Sequence, residues 1–352
     1  MKYALLLLFS LAVENTLAQT AGNGFSLTDR MVPVTDDNIF KSKGYHNWGT
    51  SVIKGEDGKY HLFYARWKEK YDYPGWLTRS EIAHATSDKP FGPWKFKEVV
   101  LTGRGGNNWD AITAHNPKIK YFEGKYYLYY IATNMGDNSF TNKELGIIGR
   151  TGRTHPDWEG LRSNQRTGVA VSNSLNGPWK RMDQPLIEPS GPITTLTVNP
   201  AIIQGKDGKY FLIVKGDKPN ETGPKRVRDQ AIAISDSPIG PFKMQKKPVI
   251  DYVDTEDISM WYDNNRDLFY AIFHAQGFIG LVSSTDGLHW DKAEHYVLME
   301  KRINKGDGSI LIPDRLERPF VFLENGIPTV LSFAATKDKG SFCVFVPLRP
   351  QD

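Results

Sequence analysis

Apolar and polar residues alternate along most of the chain, in short runs that are interrupted by Gly, Asp, Asn and Pro. One run, "TAHNPKIKYFEGKYYLYYIATN" at 113–134, contains two aromatic-rich segments on either side of a Gly turn. Nearly the same pattern returns in "TVNPAIIQGKDGKYFLIVKGD" at 197–217. Alternation enriched in aromatic and β-branched residues is typical of strands. The pattern therefore predicts a repeated β-hairpin.

Two such phrases repeat through the chain. The hairpin phrase occurs five times, at 49–67, 113–134, 197–217, 257–275 and 317–335. Between these copies lie four clear copies of a second phrase, in which a strand leads through a turn such as Gly-Pro-Trp into another strand; one is "IAHATSDKPFGPWKFKEVVL". Four strands per unit and five units predict an all-β fold, a five-bladed β-propeller with four antiparallel strands per blade and no room for long helices.

The fifth unit lacks its outermost strand, because little sequence follows "GSFCVFVPLRP". An unpaired edge strand invites pairing with another segment. We therefore predict that the N-terminal stretch "GFSLTDRMVPVT", residues 24–35, pairs with the strand around 341–348 and closes the ring.

Length, composition and the N-terminal residues also indicate the number of domains and the cellular compartment. A 352-residue chain with 39% hydrophobic residues could form two domains or one large one, and the repeat favours one. The start, "MKYALLLLFSLAVENTLAQT", has a Lys before an apolar run and small residues near the end, which is typical of a signal peptide. We predict a signal peptide at 1–18, one propeller domain at 19–352, export to the periplasm or the exterior, and no membrane span. Cys343 is the only cysteine, which excludes an intrachain disulfide.

The topology of a blade predicts which face carries the functional site. The innermost strand starts on one face, and the loop between the second and third strands returns to that face. The loops at 66–80, 134–167 and 215–229 are long and differ from one another, whereas the turns of the opposite face are short and repeated. Long loops on a rigid scaffold commonly carry binding residues. We therefore expect a funnel with the inner strands as its floor and these loops as its walls.

Polar side chains are concentrated at this expected floor. The inner strands and the residues before them contribute Trp48, Asp110, His115, Asn116, Asn199, Glu256, Asp257, Glu317 and Arg318. The ends of the second strands contribute Arg66, Asn134, Lys215, Asp217 and His274. Asn before Pro often caps a turn, and a single interior His is often structural. Carboxylates in a central channel point more strongly to function, because burying an unpaired charge is costly.

The repeated phrases "DGKYHLFY", "GKYYLYY", "DSPIGPFK" and "SSTDGLHW" resemble those of five-bladed propeller glycoside hydrolases, typified by family 43 and its relatives in families 32, 62, 68 and 117. The resemblance covers nearly all of residues 19–352 and implies a carbohydrate substrate. Family 43 enzymes carry an Asp base, a second Asp and a Glu acid on the inner strands of the first three blades. This chain has Trp48-Gly49, Asn116 and Asn199 there, so those roles do not transfer. Asp110, in "NNWDAITAHNP", resembles the Asp that precedes the second blade in family 117.

Glycosidic bond cleavage requires one carboxylic acid to protonate the leaving oxygen and one carboxylate to activate water or attack the sugar. We interpret Glu317 as the acid and Asp110 or Asp257 as the base. Glu256 or His115 would orient or tune them. Candidate sugar platforms are Trp48, Trp67, Trp76, Trp109 and Trp261, and for Trp261 a core position is favoured.

Basic residues are concentrated in two of the long loops. The net charge of +4 is too small to indicate a nucleic-acid partner. The segment "GRTGRTHPDWEGLRSNQRTG" carries Arg153 and Arg162, and "KGDKPNETGPKRVRD" adds several more cations. Arg side chains bind carboxylate and sulfate through paired donors. Two interpretations stay open: an ordinary solvated basic surface, or an acidic or sulfated polysaccharide as substrate.

Two alternatives to a hydrolase stay open: a non-catalytic carbohydrate-binding propeller and a glycoside phosphorylase that holds phosphate in its basic cluster. No cofactor is predicted. His and carboxylates on a propeller axis could hold a structural Ca²⁺, although no EF-hand spacing is present. The sugar, its linkage, exo or endo action, the stereochemistry and the oligomeric state stay open.

Overall fold

The protein forms five four-stranded antiparallel sheets, as seen in a computed structural model that describes residues 25–220 and 226–350. In each sheet the strands follow one another from the axis outward in chain order, except at the outer edge of the last sheet. The predicted five-bladed propeller is confirmed. The predicted signal peptide at 1–18 lies outside the described residues.

The chain enters the ring through β1 (Ile39–Phe40). Blade 1 is then built from β2 (Tyr45–Lys54), β3 (Tyr60–Lys68), β4 (Glu81–Ser87) and β5 (Lys95–Leu101). Blade 2 is built from β6 (His115–Phe122), β7 (Lys125–Thr133), β8 (Gln165–Ser172) and β9 (Lys180–Arg181). Blade 3 is built from β10 (Thr194–Gln204), β11 (Tyr210–Asp217), β12 (Arg228–Ser235) and β13 (Lys243–Pro248).

Blade 4 is built from β14 (Thr255–Asp263), β15 (Leu268–Ala275), β16 (Phe278–Ser284) and β17 (Asp291–Glu300). A small hairpin of β18 (Ile303–Asn304) and β19 (Ile310–Leu311) connects it to the last blade. Blade 5 is built from β20 (Arg315–Glu324), β21 (Ile327–Lys337) and β22 (Gly340–Pro347), with β1 as its fourth strand. Helices occupy the loops: α1 (Trp76–Arg79), α2 (Asn142–Thr151), α3 (Trp158–Ser163) and 3₁₀ turns at Thr28–Arg30, Asp36–Asn38, Glu69–Tyr71, Tyr73–Gly75 and Gly152–Thr154.

The hydrophobic core lies between the blades. Each second strand is buried on both faces, so its sequence is almost continuously apolar. In β3, Phe63 packs in the cluster shared with blade 2, whereas the next residue, Tyr64, packs in the cluster shared with blade 5. Successive strand residues point to opposite faces, so one strand joins two neighbours.

The N-terminal segment closes the ring, as predicted, but with a different register. Ile39 lies opposite Val344 and Phe40 opposite Cys343. Within the described part of the predicted stretch 24–35, Met31 alone pairs with the last strand, through a bridge to Leu348. The expectation of a continuous strand there is wrong, because the 3₁₀ turn at Thr28–Arg30 interrupts it and Val34 instead pairs with Lys305 beside β18.

The helices are short, and α2, with 10 residues of the loop at 134–167, is the longest of them in the described part of the chain. Thr141 and Glu144 form a capping box at its start, a signal that is legible in "TNKE". Leu145 and Ile148 of α2 pack on Leu77 of α1 and on residues of α3, which forms a small separate core. The loops of blades 1 and 2 are therefore packed rather than loosely attached. Among the described residues, no helix is long and apolar enough to cross a membrane.

The closing strand generates a stability prediction. Phe40 is 7% exposed and packs edge-on against Tyr64 of blade 1, with ring centroids 4.9 Å apart. Truncating such a side chain leaves a cavity, so Phe40→Ala is expected to lower the free energy of unfolding by about 3–5 kcal/mol in denaturant titrations. Val297, which is 54% exposed on β17, provides the control: Val297→Ala should change stability by about 0.5 kcal/mol or less. Equal effects of the two variants would argue against closure by this strand.

Candidate active site

One face of the propeller opens into a funnel of about 1270 Å³ to which all five blades contribute. The inner strands form the floor. Tyr73 and Trp76 reach it from the loop of blade 1, Trp158 and Arg162 from that of blade 2, and Arg228 from that of blade 3. The long loops therefore form the walls, on the face that the topology predicted.

Every inner strand carries a bulge at the same place. The register shifts there in all five sheets, and a residue with left-handed backbone geometry stands at each shift. These residues are Gly49, Asn116, Asn199, Asp257 and Arg318, with φ between 50° and 59°. Gly, Asn and Asp tolerate this region better than other residues, so Arg318 is the unusual member. A bulge redirects side chains locally, and here it brings the five positions together at the axis. We call them the axial ring.

Hydrogen bonds join the axial ring in one direction. Asn116 Nδ2 donates to Asn199 Oδ1 at 3.1 Å, and Asn199 Nδ2 donates to Asp257 Oδ1 at 2.6 Å. From the other side, Arg318 Nη1 donates to Asp257 Oδ1 at 2.6 Å. An ionised carboxylate only accepts hydrogen bonds, so Asp257 fixes the orientation of both amides.

Gly49 completes the ring, and a side chain there would crowd Asn116. A Cβ at this position would lie 2.8 Å from Asn116 Oδ1 and 3.4 Å from Arg318 Nε. The resemblance to family 43 would place a catalytic Asp on this strand, and the axial ring occupies the space that such a side chain needs.

Asp257 is buried but charged. Burial, the largest influence, would alone raise its pKa, but the charge of Arg318 and its hydrogen bond oppose this, with a smaller effect of Lys215, and the net result lowers the pKa to about 2. A backbone contact adds to the effect, since Arg318 N–H donates to Asp257 Oδ2 at 3.2 Å. Asp257 is therefore ionised at the bottom of the funnel, where Arg318 balances its charge.

Asp257, His274 and Glu317 form a cluster whose candidate ligand atoms lie within 4.8 Å of one another. His274 Nδ1 lies 3.8 Å from Asp257 Oδ2. Glu317 Oε1 accepts from Arg315 Nη1 at 3.1 Å, and the Glu317 side chain keeps 19% exposure to the funnel. Beside them, burial and the charge of Glu317 raise the pKa of Tyr73 well above 10.0, so its phenol stays protonated.

The cluster has the residue types of a metal site, yet its charges do not fit a divalent cation. Arg318 pairs with Asp257 and Arg315 with Glu317. Lys301 Nζ lies 2.7 Å from His274 Nε2. A metal ion would have to bind among three cationic side chains that already pair with its candidate ligands, and their charges would repel it. We therefore assign no metal ion to this cluster.

Glu256 lines the funnel but is held in an ion-pair network. One carboxylate oxygen contacts Lys215 and the other contacts Arg228, which also binds Asp254. Burial, as the largest cause, lowers the pKa of Lys215 to about 7 despite the opposing charge of Asp257. With both oxygens engaged, Glu256 is less free to transfer a proton than Glu317.

Ion pairs also join the walls of blades 2 and 3. Arg162 donates to both carboxylate oxygens of Asp217, at 2.7 Å and 2.6 Å, and Arg226 contacts Glu159. The described parts of the two basic loops therefore lie side by side. Arg162 is committed to this contact, whereas Arg153 lines the funnel without an ion pair to another described residue.

His115 faces the funnel from the start of β6. Its Nδ1 lies 2.7 Å from Ser80 Oγ, and its ring stacks on Trp76 with centroids 5.6 Å apart. Burial, with Arg318 as a smaller cause, lowers the pKa of His115 well below 6.5, so the ring is neutral. It can orient a ligand but carries no charge.

Asp110 does not line the funnel, so the prediction that it could act as the base is wrong. It is fully buried beneath blade 2, where it accepts from Arg104 Nε at 2.5 Å, Arg181 Nη1 at 3.1 Å and Tyr130 OH at 2.8 Å. Its loop turns the side chain outward, away from the axis. The remaining predicted catalytic residues line the funnel: His115, Glu256, Asp257 and Glu317.

Some of the predicted binding residues line the funnel and others do not. Those that line the funnel are Trp48, Asn116, Arg153, Arg162, Asn199, Lys215, His274 and Arg318. Four do not line it, because other contacts hold them: Arg66 bonds to Glu81, Trp109 to Met182, Asn134 to Asn164 and Asp217 to Arg162. Among the other candidate platforms, Trp76 lines the funnel, whereas Trp67 and Trp261 lie in core clusters.

Arg226 and Arg228, from the second basic loop, line the funnel, but sequence reasoning missed several other lining residues: Tyr73, Trp158, Glu159, Gln165, Asp254, Gln276, Lys301, Asp314 and Arg315. Some of them lie within the loops that were expected to form the walls. Lys301 and Asp314 belong to the connection between blades 4 and 5, and the length of that connection was the available signal.

Comparisons with known proteins give evidence about the fold and about nothing finer. No protein-family model matches the chain, and no curated protein is similar to it in sequence. Among solved structures, a family 117 glycoside hydrolase of the marine bacterium Zobellia galactanivorans superposes with a TM-score of 0.62 and 18% identity, over 91% of this chain and 89% of its own. A thermostable family 43 glycoside hydrolase gives 0.60 and 14%, over 88% and 91%. A family 43 β-xylosidase/α-arabinofuranosidase from a compost metagenome gives 0.55 and 15%, over 92% and 94%. The chain thus shares the fold of five-bladed propeller glycoside hydrolases.

The axial ring generates a pH-dependent stability prediction. Asp257→Asn leaves Arg318 buried without its carboxylate, which typically costs about 3–5 kcal/mol. Because the folded pKa of Asp257, about 2, is below its ordinary 3.8, the stabilisation is fully present above pH 4 and is lost as the pH falls through about 2. Denaturant titrations of both proteins should therefore converge at low pH. Asp314→Asn, at an exposed position of the funnel, should match the wild type at all pH values. A constant difference between wild type and Asp257→Asn would contradict the assignment.

Proposed function

We propose that the protein is a glycoside hydrolase that cleaves its substrate at the bottom of the funnel. Glu317 serves as the general acid and Asp257 as the second carboxylate. The observation that carries this proposal is the meeting of two carboxylates from neighbouring blades, within 4.8 Å, on the floor of an aromatic-lined funnel. The shared fold with glycoside hydrolases supports it.

The environments of the two carboxylates suit different roles. Asp257 is kept ionised by Arg318 and can stabilise or attack a developing positive charge on the sugar. Glu317 has one cationic partner and faces the funnel, where a leaving oxygen can reach it. Retaining enzymes separate their carboxyl groups by about 5–5.5 Å and inverting enzymes by about 6.5–9.5 Å. One oxygen of Asp257 and one of Glu317 lie within 4.8 Å of each other, which is nearer to the retaining spacing.

Aromatic side chains on one side of the funnel supply surfaces for sugar rings. Trp76 and Trp158 meet edge-to-face at 5.8 Å, and Trp48 and Tyr73 do so at 5.3 Å. Binding pockets for organic ligands commonly combine such apolar surfaces with a few polar groups.

An acidic or sulfated substrate is the finer part of the proposal. Arg153 has no carboxylate partner among the described residues, and Arg315 lies over the ring of Tyr73 at 5.3 Å, close to Glu317. Both could receive an anionic group beside the reacting sugar. Arg162 no longer supports this idea, because Asp217 already occupies its guanidinium group.

Product analysis on neutral, carboxylated and sulfated oligosaccharides tests the main proposal. On any glycan that is cleaved, Glu317→Gln is expected to lower kcat by about 10²- to 10⁴-fold, because the acid can no longer donate its proton. Glu294→Gln, at an exposed position of β17 outside the funnel, is the matched control and should retain activity. Full activity of Glu317→Gln would exclude it as the acid. Binding without turnover of any glycan would indicate a carbohydrate-binding propeller, and cleavage that requires phosphate a phosphorylase.

The charge preference has its own test. On an anionic substrate, Arg153→Ala should raise KM by about tenfold or more and change kcat less, because the lost contact serves ground state and transition state alike. Arg150→Ala, on the exposed side of α2 and outside the funnel, is the control. Equal KM changes on anionic and neutral versions of one glycan would contradict an anionic subsite.

A further inference from the structure

His274 has one nitrogen that is engaged and one that is not. The residue is 8% exposed and lies on β15, between the two carboxylates of the cluster. Nε2 lies 2.7 Å from Lys301 Nζ. Nδ1 is buried without a hydrogen-bond partner, since Asp257 Oδ2 at 3.8 Å is beyond hydrogen-bonding distance.

The position of Lys301 determines which ring nitrogen of His274 carries the proton. It follows the outermost strand of blade 4 and reaches back to the floor of the funnel. An ammonium group has three donors and no acceptor, so His274 Nε2 must accept from it. A neutral imidazole has one N–H, which then lies on Nδ1.

The protonation states of both groups agree with this arrangement. Burial, as the largest cause, lowers the pKa of His274 and keeps its ring neutral. Burial, as the largest cause, also lowers the pKa of Lys301, although the charges of Glu317 and Asp257 oppose that shift.

We propose that Lys301 is a positioning residue that holds His274 in the Nδ1–H tautomer, so that the site presents a fixed N–H donor to an oxygen atom of the substrate between Asp257 and Glu317. The assignment of the tautomer stands on geometry alone, whereas the donor role rests on the proposed function. Because Nδ1 carries the hydrogen, it offers no lone pair to a metal ion.

The reverse arrangement has a distinct signature. If Lys301 were a neutral amine, it would accept from Nε2–H, and Nδ1 would face the carboxylates with a free lone pair. The two arrangements place the hydrogen on different nitrogens, so a direct measurement separates them.

Long-range ¹⁵N–¹H NMR of imidazole-labelled protein makes this measurement, with His274→Asn used to assign the signal among the eight histidines. The wild type should show hydrogen on Nδ1. Lys301→Met should redistribute the tautomers, whereas Lys301→Arg, which keeps a charged donor, should preserve Nδ1–H. Hydrogen on Nε2 in the wild type, or an unchanged tautomer in Lys301→Met, would overturn the proposal.

Lys305→Met is the matched control. Lys305 lies in the same connection but pairs with Asp36 and Asp307, away from the funnel, so its loss should leave the His274 signal unchanged. A similar redistribution in this variant would show that the connection as a whole, rather than the Lys301 contact, sets the tautomer.

The donor role is tested on a glycan that the protein cleaves. Lys301→Met should lower kcat/KM by about 10- to 100-fold, with recovery in Lys301→Arg and no effect of Lys305→Met. Unchanged kcat/KM in Lys301→Met would overturn the donor role. If no glycan is cleaved, the proposed function fails while the NMR result still decides the tautomer.

Discussion

The contact between Asp257 and Arg318 on the propeller axis determines much of the site. It keeps a buried carboxylate ionised, and that carboxylate in turn orients Asn199 and, through it, Asn116. The same ion pair connects blades 4 and 5 where their inner strands bulge. Without a charged partner, neither group would be tolerated in this interior position.

The bulges explain how a regular fold produces an irregular site. Five equivalent strands place five equivalent positions at the axis, and the residue types at those positions differ. Only blade 4 supplies a carboxylate to the ring, and the next carboxylate, Glu317, comes from the residue before the bulge of blade 5. The candidate centre is therefore displaced toward blades 4 and 5, whereas the aromatic wall belongs to blades 1 and 2.

The sequence contained the architecture in a readable form because the repeat is local: each hairpin phrase reports one pair of strands. Glu317, Asp257 and His274 could be placed near the axis on that basis. Asp110 could not be judged correctly, because the direction of its side chain depends on contacts with Arg104 and Arg181 that no local pattern reveals. Lys301 was missed for a similar reason, since it reaches its partner across the width of blade 4. The helices of the wall were partly legible, through the Thr141–Glu144 capping box.

Gly49 has a consequence for how such a site can change over evolutionary time. A side chain at this position would need room that Asn116 and Arg318 now fill, in a backbone conformation that few residues adopt. A side chain there is accepted only if Asn116 Oδ1, 2.8 Å from the added Cβ, moves, and that movement disturbs the row of hydrogen bonds that leads through Asn199 to Asp257. A single substitution at Gly49 therefore perturbs the whole ring. The packing of its neighbours therefore constrains which residue can occupy position 49. We expect related proteins with the same axial ring to differ mainly in the loops of the funnel walls.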